Sequence, residues 1–206
     1  MFAVATYFCR LQQAARMITY SAGEKDATLC ALAILKEHKD FLKGLTDAIY
    51  NFHSPLVEGS VGQHTRHSLD HLRKPLEHLI TQQNVSGENI VHYDFRDRHT
   101  SVEKIRSVAV EQIKQLEKTL YSVTRGNLVL PVHVAFMLSS NGHESYFEST
   151  INRELAFAVH HFIHHNALSK VLLRHHFPEL EVPENFGIAP STADFNQKCT
   201  STLPQS

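Results

Sequence analysis

The sequence predicts an all-α protein: an antiparallel four-helix bundle with crossover connections and a small β-hairpin between the third and fourth helices. Three observations predict it. Four segments carry apolar side chains at the three- and four-residue spacing of a helix that buries one face. One segment, around Val132 to Leu138, alternates with a period of two instead. The helical segments are joined by one short and two longer connections, which suits a bundle with at least one crossover.

The first helix is expected over residues 26–52, where Leu29, Leu32, Leu35, Phe41, Leu42, Leu45 and Ile49 form a stripe. His53-Ser54-Pro55 ends it, because proline disfavours a helical conformation in the residue before it. The second is expected over residues 60–82 on Leu69, Leu72, Leu76, Leu79 and Ile80, with a kink or register fault at Pro75. Residues 84–99 are polar around Ser86-Gly87 and read as a loop, long for a compact domain, and long ordered loops usually carry function. A third helix fits residues 101–122: Thr100-Ser101 supplies a cap, Glu103 an acidic first turn, and Ile105, Val108, Ala109, Ile113, Leu116 and Leu120 the stripe. The hairpin follows, turning at Asn141-Gly142. The fourth helix begins near Thr150, with Glu154 in its first turn, and continues to about His175. Residues 24–176 therefore read as one domain, residues 1–23 as an N-terminal extension and residues 177–206 as an irregular tail that lies across the bundle without a core of its own.

Composition excludes several classes. The 206 residues carry 20 basic and 21 acidic side chains, a net charge of -1, so no basic field argues for nucleic acid or an anionic membrane surface. No apolar run reaches the roughly 18 residues a membrane-spanning helix needs. Cys9, Cys30 and Cys199 are far apart and odd in number, which suggests a reducing compartment and no thiolate zinc site. A cytoplasmic protein is the expectation. Residues 1–23 hold Arg10 and Arg16 but no acidic side chain, a bias shared with mitochondrial presequences, so a mitochondrial location is the alternative.

Histidine carries the chemistry. Successive residues of a helix turn by about 100°, so His161 and His165 lie roughly 40° apart on one face, the geometry two imidazoles need to share an ion. Glu154, Ala158 and Leu168 share that face. The second histidine-dense segment, residues 62–72, is the natural source of a third ligand, and on the second helix His64, His67, His71 and His78 project within an arc of about 60° if the helix is regular. With 16 histidines, chance pairs at helical spacing are also expected, and His160, His164, His175 and His176 read as surface or partly buried rings.

Three pieces of sequence carry a family resemblance: Gly62-Gln63-His64-Thr65-Arg66-His67-Ser68-Leu69-Asp70-His71, Arg153-Glu154-Leu155-Ala156-Phe157, and His161-Phe162-Ile163-His164-His165-Asn166. Across residues 26–176 the chain resembles the DinB-like superfamily, the DNA-damage-inducible four-helix proteins that include thiol-dependent S-transferases and the amino-terminal domain of ergothioneine-type sulfoxide synthases. In that family a histidine three residues before an acidic residue joins an H-x-x-x-H pair on the last helix to bind one divalent metal. The resemblance thereby implies His67, with Asp70 behind it, His161 and His165. Many relatives follow the last ligand with Arg-Gly-Gln, where this chain has Asn166-Ala167-Leu168, and His64 or His71 replaces His67 if the second helix is rotated.

Three neutral imidazoles leave a divalent ion its full charge and at least one open position, the arrangement of a catalytic centre. Imidazole suits zinc, nickel, iron and copper alike; zinc, nickel or iron is the expected ion. The resemblance favours metal-dependent transfer with a low-molecular-weight thiol as cosubstrate, so a small-molecule thiol or electrophile is the expected partner, with a homodimer as candidate assembly. Glu154 is the candidate catalytic carboxylate, as base, hydrogen-bond acceptor or metal ligand; its plainer role is a helix-start carboxylate favoured by the macrodipole. The loop of Tyr93, Asp94, Phe95, Arg96, Asp97 and Arg98 is expected to grip a charged cosubstrate or to stand solvated, and Arg66 and Arg153 are further anion-binding candidates. A metal-binding or interaction protein without turnover is the alternative, distinguished by whether a pocket opens onto the ion's free position. A sulfoxide-synthase relative would need a partner chain to supply the second domain.

Overall fold

A computed structural model describes residues 26–82, 90–95 and 97–201. The expected extension over residues 1–23 lies outside the described residues, as do Cys9, residues 84–89 of the expected loop, Arg96 and the side chain of Cys199.

Asp26 opens the first helix, its carboxylate accepting from the backbone N–H of Leu29 at 3.0 Å and satisfying one of the donors a helix start leaves unpaired. Helix α1 (Ala27–Lys43) buries Ala31, Ile34, Leu35, Phe41 and Leu42. The single helix expected over residues 26–52 breaks after Gly44. Thr46 is extended (φ -85°, ψ 159°) and its hydroxyl accepts from the N–H of Ile49, capping a separate short helix, α2 (Asp47–Asn51). The break turns both Leu45 and Tyr50 into the core.

Helix α3 (Val61–Gln82) runs through Pro75, which lacks the N–H that would bond the carbonyl of His71. The helix expected over residues 101–122 divides into one turn, α4 (Ser101–Lys104), and α5 (Arg106–Ser122), with extended Ile105 between them. The reason lies on α3. A Cβ added to Gly62 would stand 2.0 Å from the carbonyl oxygen of Glu103 and 2.8 Å from Cε1 of Tyr50, so only glycine admits α4 at this distance. Buried Glu103 accepts from Nε of Arg66 at 2.8 Å, and Arg66 also reaches Oδ2 of Asp70 at 3.3 Å. This close approach and ion pair hold the turn on α3, and the chain bends at Ile105 before α5 begins.

Helix α1 packs on α5 and on α7 (Ile151–His176), and α3 packs on the same two. The fold is nevertheless not the all-α four-helix bundle that periodicity predicts. Strand β1 (Ile90–His92), within the segment read as a polar loop, pairs parallel with β2 (Pro131–Met137), and β2 pairs antiparallel with β3 (Glu144–Thr150). The result is a mixed three-stranded sheet in the order β1-β2-β3 that packs against α3 and α7. A parallel pair needs a long crossover. Here α4, α5 and the short α6 (Arg125–Leu128) supply it. Three residues among polar neighbours carry too little periodicity to announce a strand; β1 is specified by its partner, with Val91 opposite Val134 and buried. The hairpin of β2 and β3 forms as expected, with Gly142 at φ 80° in its connection.

The tail is more ordered than expected. Phe186 is fully buried and stacks on Phe41, ring centroids 4.0 Å apart, and Gly187 at φ 68° presses so closely on Ala167 that a Cβ would come within 2.5 Å of its nitrogen. Lys170 donates to the carbonyl of Glu184 at 2.5 Å, and helix α8 (Pro190–Ser201) follows. Among the described residues no helix is long and apolar enough to cross a membrane.

Candidate metal centre

The site is built between α3 and α7. Thr150 caps α7, its hydroxyl accepting from the N–H of Arg153, and the helix then carries Leu155, Ala158 and Phe162 into the core. His161 and His165, one turn apart, face α3. Nε2 of His161 lies 2.9 Å from Nε2 of His67 and 3.1 Å from Nε2 of His165. One ligand atom from each of His67, His161 and His165 lies within 4.8 Å of the other two. Two bonds of about 2.0–2.1 Å at a tetrahedral angle set nitrogens about 3.3 Å apart. The two contacts of His161 fall a few tenths of an ångström short of that spacing, and the third pair stays within 4.8 Å.

Electrostatics suit a cation. Burial, followed by the neighbouring His161, His64, His164 and His71, pushes His165 down to about 2, and burial followed by His164 pushes His64 down to about 4. Both rings are neutral near pH 7, so each has a lone pair without first losing a proton. All three grouped histidines are half-buried, in partial reach of solvent.

His64 and His71, named from the sequence as substitutes for His67, flank it instead. Nδ1 of His64 lies 3.0 Å from Nδ1 of His165, and the ring of His71 lies 4.0 Å, centroid to centroid, from that of His161. Offsets of three and four residues put all three α3 histidines on one face, and which of them meets α7 end-on is decided by the rotation of α3. Phe157 lies across the ring of His161 with centroids 5.8 Å apart.

Glu154 is fully buried, and its oxygens are taken by other groups. Oε2 accepts from the phenol of Tyr93 at 2.8 Å, and Oε1 from the hydroxyl of Ser149 at 2.5 Å and from Arg153 at 3.0 Å. The carboxylate thus ties the start of α7 to β3 and to the residue after β1. One link from it to the histidines runs through Tyr93, whose ring stacks on His71 at 5.0 Å. Burial and then Glu154 push the Tyr93 phenol well above its ordinary range, so it stays protonated as a donor. Sequence reasoning placed Tyr93 in a cosubstrate loop; the signal for its actual role was an aromatic beside a strand too short to recognise.

Asp94 and Phe95 of the same loop also serve the fold. Asp94 accepts from the N–H of Met137 at 2.6 Å, and the carbonyl of Phe95 accepts from Lys74. Asp97 and Arg98 are exposed. Arg66 is engaged by Glu103 and Asp70, and Arg153, besides its contact with Glu154, lies 5.3 Å over the ring of Phe157. His38, which the sequence did not single out, is buried in the core, its Nε2 2.9 Å from the hydroxyl of Thr65 and its ring edge-on to Phe162. A cavity of 680 Å³ lies beside Ala156, Val159, His160 and Ile163 of α7, and one of 470 Å³ beside Phe136, Phe147 and Glu154. Neither is lined by a histidine of the triad.

No family model and no solved structure match the chain. Among curated proteins it is similar to FK506-binding protein 5 of Rhizopus delemar, with 34% identity over 110 residues, which are 53% of this chain and 28% of that protein. The chain spans little more than a quarter of that relative's length.

Proposed function

We propose that the chain is a divalent-metal-binding protein of the DinB-like type, with His67, His161 and His165 as ligands and group transfer to a low-molecular-weight thiol as its activity. One observation carries the proposal: three imidazoles, from two helices, present ligand atoms within 4.8 Å of one another. A divalent ion held by these three residues would supply Lewis acidity and keep a bound thiol deprotonated. In the transfer, sulfur would bond to the electrophilic carbon as the bond to the leaving group breaks; the proton given up to solvent when the thiol ionises is balanced by the one the leaving group takes from solvent. The chain's residues hold the geometry. His67 comes from α3 and the histidine pair from α7, Phe157 lies beside the ring of His161, and the Glu154–Tyr93 contact ties α7 to the end of β1.

Metal analysis of protein purified without a polyhistidine tag tests the first half. For the second, glutathione or another small thiol is paired with electrophilic acceptors, and metal-loaded protein is compared with chelated protein. Transfer unchanged after complete metal removal refutes the mechanism. A second reading, metal binding without turnover, is favoured by the cavities of 680 and 470 Å³, neither of which is lined by the triad.

A further inference from the structure

We infer that His64 is a positioning residue that sets the tautomer of His165, a role that rests on the metal-binding reading above. His165 is approached by histidine nitrogens at both ends of its ring. Its Nε2 lies 3.1 Å from Nε2 of His161, and its Nδ1 lies 3.0 Å from Nδ1 of His64. A neutral imidazole carries one proton. If that proton sits on Nε2, His165 cannot offer a lone pair to an ion shared with His67 and His161. If it sits on Nδ1, the lone pair at Nε2 is free and the N–H at Nδ1 points at His64. His64 must then present a bare Nδ1 and carry its own proton on Nε2.

Among the described residues the ring of His64 finds a hydrogen-bond partner at Nδ1 and none at Nε2. His64 is only 9% exposed, and its Nε2 has no hydrogen-bond partner among the described residues. That nitrogen abuts Gly59, where a Cβ would come within 3.3 Å of it. An unpartnered polar atom in a buried position is costly, and an apolar side chain would fill the space without the cost. What the imidazole supplies is the acceptor at Nδ1. Histidine ligands ordinarily donate their second N–H to a carboxylate, a carbonyl or water, which fixes ring orientation. Here a neutral imidazole takes that part. Unlike a carboxylate it adds no negative charge, so the centre keeps the electrophilicity of three neutral ligands.

Asparagine and leucine separate the acceptor from the packing. They are nearly the same size, and Oδ1 of asparagine occupies the place of Nδ1 of histidine. By competition with a chromophoric chelator, His64→Leu is expected to lower zinc affinity about 10- to 100-fold, and His64→Asn to stay within about threefold of the unaltered chain. In zinc-loaded protein the Nδ1 proton of His165 should give a slowly exchanging imidazole N–H resonance in the unaltered chain and in His64→Asn, and lose it in His64→Leu. His64→Phe, which keeps a planar ring without nitrogen, replaces the leucine variant if that one does not fold. Equal zinc affinity in the leucine and asparagine variants, whether both unchanged or both reduced, overturns the role assigned to His64 while leaving the metal site standing. An unaltered chain that binds no zinc, nickel or iron overturns the metal site and this role with it.

Discussion

Replacing His161 with alanine should uncouple the stability of this protein from metal. Nε2 of His161 is common to the two close contacts, 2.9 Å to His67 and 3.1 Å to His165, so its loss leaves a site of only two ligands, one from each helix. Anything that binds the folded state alone stabilises it by RT ln(1 + [L]/Kd), about 2.7 kcal/mol when the free ion is about 100-fold above Kd. A chain of 206 residues shifts its melting temperature by about 2–4 °C per kcal/mol, so the unaltered protein should gain about 5–11 °C on saturation. In His161→Ala the same addition should move the midpoint by less than about 1 °C, because a two-histidine site is far from saturated at that concentration. The substitution also removes packing against Phe157 and His71, which lowers the metal-free midpoint; each protein is therefore compared with its own chelated form. The assay is calorimetric or fluorimetric melting of tag-free protein with zinc, nickel or iron(II), each at a free concentration about 100-fold above its Kd for the unaltered chain. A shift of equal size in the variant at the same free-ion concentration refutes the triad, and no shift in the unaltered protein with any of the three ions refutes the site.

Gly62→Ala should cost about 1–3 kcal/mol or more, because its Cβ would stand 2.0 Å from the carbonyl oxygen of Glu103 and α4 would have to lift off α3; urea denaturation that moves by less than about 0.5 kcal/mol would show that this approach is not constrained. Glu154→Ala should cost about 3–5 kcal/mol, since it leaves the phenol of Tyr93 and the hydroxyl of Ser149 facing an emptied buried position, while zinc affinity in the folded variant changes little; abolished zinc binding in a stable variant would instead make Glu154 a ligand. His38 is held down to about 4 by burial, below its unfolded value near 6.5, so its neutral form contributes stability that is complete above about pH 6.5 and is lost as pH falls toward about 4, about 3 kcal/mol in all. Urea unfolding of metal-free protein across that window should show a steeper loss in the unaltered chain than in His38→Phe, and identical slopes would rule His38 out as a contributor.

What the sequence determined by itself is local. The H-x-x-x-H pair faces one way because α-helix geometry leaves no choice, and Asp26, Thr150 and Gly142 do at the element ends what their chemistry dictates. Apolar periodicity located the long helices for the same reason. Tertiary structure alone decided where those helices break. Gly44 and Ile105 lie inside continuous apolar stripes, and the breaks follow from the need to bury Leu45 and Tyr50 and to seat Glu103 against Gly62 and Arg66. It decided that residues 90–92 are a strand, because a three-residue strand exists only through the neighbour that pairs with it. The resemblance named His67, but the rotation that aims it at His161, and sets His64 and His71 to either side, comes from how Leu69, Leu72 and Leu76 bury themselves on the opposite side of α3. Glu154 shows the limit most sharply: its place on the histidine face of α7 was legible, whereas its partners come from a strand and a following residue far away in the chain, and only packing brings them there.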